Sequence, residues 1–158
     1  MDNDAVLELG GIRDVGIAML FNSYYIAANL DSQIAKQKTS IMKIYAFDVD
    51  DTLEVSGGPV EIKSIDDLRP RGDIVGLNGN WAVVVQTVPS WHRIFSFIGP
   101  MEMSKEIFLK QLKTYIRADD YIMVGNIKGV SGASDDQGAA NLAGWRFIKE
   151  SDFAAGER

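Results

Sequence analysis

The chain contains no cysteine. A disulfide framework, a zinc–thiolate site and a thiol nucleophile are therefore excluded. Histidine is almost absent too. His92 stands alone between Trp91 and Arg93, so a multi-histidine metal centre is impossible, and no Ser–His–Asp order stands out around it. It reads as a surface or interfacial residue. Basic charge is scarce: 16 Lys and Arg face 22 Asp and Glu, a formal net charge of −6. Binding nucleic acid by a basic face needs clustered cations and is disfavoured. Phosphorylated small molecules and phosphoproteins remain open as partners, because a local metal can supply the positive charge. No apolar run reaches the roughly 20 residues of a spanning helix. The nearest, Val15–Leu30, is interrupted by Asn22 and Ser23. The opening Met1-Asp2-Asn3-Asp4 is acidic where a secretory leader is basic, so the expected compartment is the cytoplasm.

What is present suits one globular domain: 158 residues, of which 46% are hydrophobic and 24% charged. Residues 1–41 and 42–158 read as different material. In the first part Gly10-Gly11 makes a break, and a helix-like stretch follows from Asp14 to Lys38. Ile17, Phe21, Tyr24 and Ala28 recur at spacings of three and four, which gives one apolar face. This N-terminal helical extension is expected to pack on the domain or on a second copy, with a homo-oligomer through residues 14–38 among the arrangements it allows.

From Met42 onward the elements alternate. Strands are expected at Ile44–Phe47, Ile74–Leu77, Phe95–Ile98, Tyr121–Val124 and Trp145–Ile148. Helices are expected at Ile62–Leu68, Trp81–Val88, Lys105–Tyr115 and Asp135–Ala143. Ser104 can cap the third of these, and Gly144 can close the fourth. Strands alternating with helices predict an α/β fold: a three-layer, Rossmann-like sandwich with a central parallel sheet of about five strands, plus the N-terminal helical extension.

The most informative stretch is Ile44-Tyr45-Ala46-Phe47-Asp48-Val49-Asp50-Asp51-Thr52-Leu53. An apolar strand runs straight into three carboxylates and a hydroxyl. Open α/β sheets bind their ligands at the carboxyl ends of their strands, which is where this charge falls. Crowded carboxylates repel unless a cation or a proton sits among them. Hard oxygen donors favour magnesium, held by one or two carboxylates together with substrate phosphate oxygens.

These ten residues resemble the first motif of the haloacid dehalogenase-like (HAD) superfamily of phosphotransferases, a hydrophobic strand followed by Asp-x-Asp-x-Thr/Val. Phe47 through Leu53 match it without a gap. The resemblance extends over most of residues 42–150. The family's second motif places Ser or Thr after strand two, where this chain has Asn78, whose amide can also donate. The third supplies a lysine near the start of a later helix; Met103-Ser104-Lys105-Glu106-Ile107-Phe108 stands there without the family's prolines. The fourth reads Gly-Asp and then a second Asp opening a small-residue helix. Here the pair is Gly125-Asn126, and Asp135 and Asp136 open the helix Gln137-Gly138-Ala139-Ala140.

The resemblance implies a capless, magnesium-dependent phosphatase acting through an aspartyl-phosphate intermediate. Asp48 is then the nucleophile and Asp50 the acid and base. Asn78 and Lys105 hold the phosphoryl oxygens. Mg2+ is held by Asp48, the Asp50 carbonyl and Asp136, with Asn126 and Asp135 as further candidate ligands. The alternative is a non-catalytic HAD-like binding or assembly module that oligomerises through its N-terminal helix. Lys110 and Lys113 read as surface residues; Trp81, Trp91, Phe95 and Phe97 read as core.

Overall fold

The computed structural model describes residues 41–158. The expectations for the stretch 14–38 lie outside the described residues. Five strands form one sheet: β1 (Lys43–Phe47), β2 (Ile74–Leu77), β3 (Phe97–Ile98), β4 (Asp120–Gly125) and β5 (Arg146–Lys149). Their order is β3-β2-β1-β4-β5, and every pairing is parallel. Helices connect them: α1 (Ile62–Asp66), α2 (Ala82–Thr87), α3 (Trp91–Ile94), α4 (Lys105–Tyr115), α5 (Asp136–Ala143) and α6 (Glu150–Ala154). The fold is the expected α/β sandwich. No helix of the described residues is long and apolar enough to cross a membrane.

β1 is central because it is apolar on both faces. Ile44, Tyr45, Ala46 and Phe47 are all fully buried, as strands of a parallel sheet covered on both sides must be. Its side chains alternate between two cores. Tyr45 and Phe47 join Val75, Leu77, Ile122 and Val124 beneath α1, α2 and α6. Ile44 and Ala46 join Met123, Leu109 and Ala140 beneath α4 and α5. The small residues of α5 allow it to lie close against the sheet, and Trp145 seals this side by donating its indole N–H to Leu109 O at 3.0 Å.

Two short helices escape the expected pattern. Trp91–Ile94, where no element is expected, forms α3: Ser90 takes a left-handed φ of 58° and turns the chain after α2. The expected strand Phe95–Ile98 is accordingly reduced to Phe97–Ile98, with Phe95 closing the helical turn. After β5, α6 brings Phe153 edge-on against Phe47, with ring centroids 5.1 Å apart. Helices of four or five residues are too short to declare a period.

The sheet's register sets up the site. Phe47 pairs with both Leu77 and Val124, so the residues that follow these strands emerge side by side on one edge. The chain leaves β1 toward β2 and β3, then crosses back to β4 on the other flank. The order of strands reverses between β1 and β4, and ligands of open α/β sheets settle in the crevice at such a reversal.

Gly76 is required by packing rather than by backbone conformation: a Cβ there would meet the Phe97 ring at 2.3 Å. Gly76→Ala is expected to destabilise the domain by about 1–3 kcal/mol, an overpacking cost. Chemical denaturation measures it, and an unchanged midpoint would contradict this packing.

Candidate active site

The candidate site residues sit where elements end or begin on this edge. Asp48 directly follows β1 and is pinned by its own N–H, which donates to Val124 O at 2.9 Å. One helical turn follows: the N–H groups of Thr52 and Leu53 both donate to Val49 O. The turn carries Asp50 out to solvent and brings Thr52 back inside. Asp51 takes a left-handed φ of 56° within it, a conformation that Asp tolerates better than most residues. Asn78 follows β2, Asn126 follows β4, and Lys105 and Asp136 are the first residues of α4 and α5.

Lys105 is the hub. Its ammonium donates to Asp48 Oδ1 at 2.6 Å, to Asp136 Oδ1 at 2.5 Å and to Ser134 Oγ at 2.8 Å, which uses all three of its protons. A cation in the first turn of a helix opposes the helix dipole; here two buried carboxylates outweigh that cost. Asp136 is fully buried, and its second oxygen accepts the Asn126 N–H at 2.8 Å. Asp136 thus has both oxygens committed, one to Lys105 and one to the end of β4. Asp135 caps α5 by accepting the Gly138 N–H at 3.0 Å.

Asn126 closes the other side. Its Nδ2 donates to the Asp50 main-chain carbonyl at 2.8 Å and, at a longer 3.4 Å, to Asp48 Oδ2. The buried Thr52 hydroxyl lies 3.2 Å from Asn126 Oδ1 and 3.4 Å from Asp48 Oδ2, with one proton to share between them. Asn78 is buried beside Asp48, held by its N–H to Phe47 O at 2.7 Å, while its side-chain amide meets only the soft Met123 sulfur at 4.0 Å. Asp50 accepts from Asn80 Nδ2 at 3.4 Å. Asp48, Asp50, Asn78, Lys105, Asn126 and Asp135 all line one open cleft of about 830 Å³.

The ionisation of the hub follows from two acids sharing one base. Burial pushes the Asp48 carboxyl up; Lys105 opposes this, Asp136 adds to it, and the outcome is about 6. Burial pulls Lys105 down, but the two carboxylates prevail and hold it above its ordinary value. The trio is one positive charge short.

That deficit and the donor chemistry together suit a hard cation. Asp48 Oδ2, the Asp50 carbonyl and the Asn126 side chain face one another, an all-oxygen set once the Asn126 amide presents its oxygen. The set carries a single carboxylate. Among the described residues no three His, Cys, Asp or Glu side chains cluster as a metal-holding group.

Three contributors were not singled out from sequence. Ser134 ends the Gly/Ser loop just before α5, where only its position beside a helix start distinguishes it. Gly79 approaches so closely that a Cβ would lie 2.5 Å from Asp48 Oδ1, and a Cβ on Gly132 would lie 2.5 Å from Asn126 Nδ2. The Asn78-Gly79 pair that follows β2 is thus also the wall against which the Asp48 carboxylate rests.

No family model, curated protein or solved structure matches the chain in comparisons with known proteins.

The Asp48 shift has a definite sign in protein freed of divalent ions. Between the ordinary value of 3.8 and about 6, the folded state holds a proton that the unfolded chain has lost. The contribution of Asp48 to stability therefore falls as pH rises through that window and is flat on either side. The difference between wild type and Asp48→Asn, measured by urea denaturation in chelator, is expected to change by on the order of 2–3 kcal/mol across it. A pH-independent difference would contradict the shift. Lys105→Met leaves two buried carboxylates unpaired and is expected to cost about 3–5 kcal/mol in the same assay at neutral pH.

Proposed function

We propose that the chain is a capless HAD-like phosphohydrolase that cleaves phosphomonoesters through Asp48. The observation that carries this reading is the Lys105 ammonium held at 2.6 Å and 2.5 Å between Asp48 and Asp136, at the strand-order reversal of a parallel sheet. Asp48 Oδ1 or Oδ2 attacks phosphorus, and the ester oxygen departs with a proton from Asp50, whose exposed carboxyl lines the same cleft. Asp50 then takes a proton from the water that hydrolyses the acyl phosphate. The Asn78 amide holds the phosphoryl oxygens as charge develops on them, together with the one Lys105 proton that Asp48 Oδ1 gives up when that carboxylate engages phosphorus. Asp136 and Ser134 fix Lys105, and Thr52 and Gly79 fix the Asp48 carboxylate. Asp48, the Asp50 carbonyl and Asn126 are the groups that would hold magnesium, which would supply positive charge against the repulsion between anionic nucleophile and anionic ester.

The lining of the cleft supports a class of substrate. Among the described residues that line it, Lys105 is the only cation, whereas Asp51, Glu106 and Asp135 add negative charge and Met101, Met103 and Leu142 add apolar surface. Leaving groups that are neutral or cationic and partly apolar suit this wall; polyanionic ones are repelled.

The second reading, a binding module without turnover, is favoured by Asn126, which leaves the cation one carboxylate. Hydrolysis of an aryl phosphate with magnesium tests both readings. Wild type is expected to turn over, and Asp48→Asn to lose activity by at least about 10³-fold while keeping its fold by circular dichroism. Activity that survives in Asp48→Asn overturns the nucleophile; a folded, inactive wild type favours the binding module. Among esters that do react, kcat/KM for an alkylammonium phosphate is expected to exceed that for a sugar bisphosphate by roughly tenfold or more.

A further inference from the structure

We propose that Asn126 is a built-in stand-in for the divalent cation, which lets the site fold without the ion and lowers the ion's affinity for the free protein. The proposal rests on the phosphohydrolase reading only in its choice of magnesium. Asn126 is 1% exposed, and its main-chain N–H and both polar atoms of its side chain are engaged. Its N–H donates to Asp136 Oδ2 at 2.8 Å, its Nδ2 donates to the Asp50 carbonyl at 2.8 Å and to Asp48 Oδ2 at 3.4 Å, and its Oδ1 faces the Thr52 hydroxyl at 3.2 Å. The side-chain nitrogen therefore lies between the two oxygens that would bind a cation, and it supplies each with a proton. Gly132 closes behind it, leaving no room for a side chain there.

A carboxylate at position 126 would reverse this arrangement. It donates nothing, so the Asp50 carbonyl would lose its partner, and its negative charge would face Asp48 Oδ2 across a buried gap. At a pH where both carboxylates are ionised, a cation between them restores the balance. Aspartate there makes the site depend on the ion; asparagine makes it independent. The same exchange removes one carboxylate from the donor set, which weakens the hold on magnesium. In the wild type the ion is then best held when a phosphoryl group brings further oxygens to it.

Thermal melts of wild type, Asn126→Asp and Asp48→Asn/Asn126→Asp, each in EDTA and in excess magnesium without phosphate, test this. Wild type is expected to melt at nearly the same temperature in both. Asn126→Asp is expected to lose on the order of 5–10 °C in EDTA and to recover most of it in magnesium. In the double variant the amide and carboxylate have exchanged places, and the gap between the two media is expected to return to the wild-type size. An Asn126→Asp variant equally unstable in both media, a wild type whose gap equals or exceeds that of the variant, or a double variant that keeps the enlarged gap overturns the proposal. The melts do not depend on turnover, so the role of Asn126 is decided even for a wild type inactive on every ester, and an active one does not by itself support it.

Discussion

One ammonium group shared by two buried carboxylates is the interaction on which the rest of this domain depends. Lys105 contributes a single positive charge to Asp48 and Asp136, both almost free of solvent. Burying three charges is costly, and breaking such a set costs more than forming it gains. The arrangement therefore makes little sense as a stabilising device. Its electrostatic consequences are more telling. Burial, with Asp136 adding to it against Lys105, leaves Asp48 easier to protonate than an ordinary carboxyl, and the two carboxylates leave Lys105 harder to deprotonate than an ordinary lysine. A cleft that is one positive charge short, with oxygen donors facing into it, is poised for a further cation or for a ligand that arrives with one.

The fold delivers these groups without long loops or strain in most places. Parallel strands in register end together, so Asp48, Asn78 and Asn126 arrive at one edge from three different strands. The helices that return from the sheet begin on that same edge, which places Lys105 and Asp136 opposite them. Backbone contact does the fine positioning. The Asp48 and Asn78 N–H groups are tied to Val124 and Phe47, and Gly79 allows the chain to pass against the Asp48 carboxylate. Left-handed backbone at Asp51 occurs within the turn that aims Asp50 outward.

Much of this was legible in the order of residues. The apolar run Ile44–Phe47 announces a strand buried on both faces, and the alternation that follows gives the five-stranded parallel sheet. Ser104 and Gly144 mark helix ends that the structure places where expected, with Ser104 accepting from the Ile107 N–H at 3.4 Å. The sequence could not reveal that Asp136 spends both oxygens on Lys105 and Asn126, because a carboxylate at a helix start reads the same whether it faces a metal, an ammonium or water. Ser134 and Gly132 were silent for a related reason: in a Gly/Ser-rich loop, only the folded path tells a positioning residue from a spacer. The short helices α3 and α6 escaped because one turn carries no periodicity.

Chemical identification of the residue that takes up phosphorus is the most direct test of Asp48 as the reacting acid. Wild-type protein mixed with magnesium and an aryl phosphate, quenched in acid and reduced with borohydride, should carry its reduced aspartyl label on the peptide that contains Asp48, at that residue, with none at Asp50 or Asp136. Turnover with no label at Asp48, or with the label on another carboxylate, would contradict the central role of the acid beside Lys105.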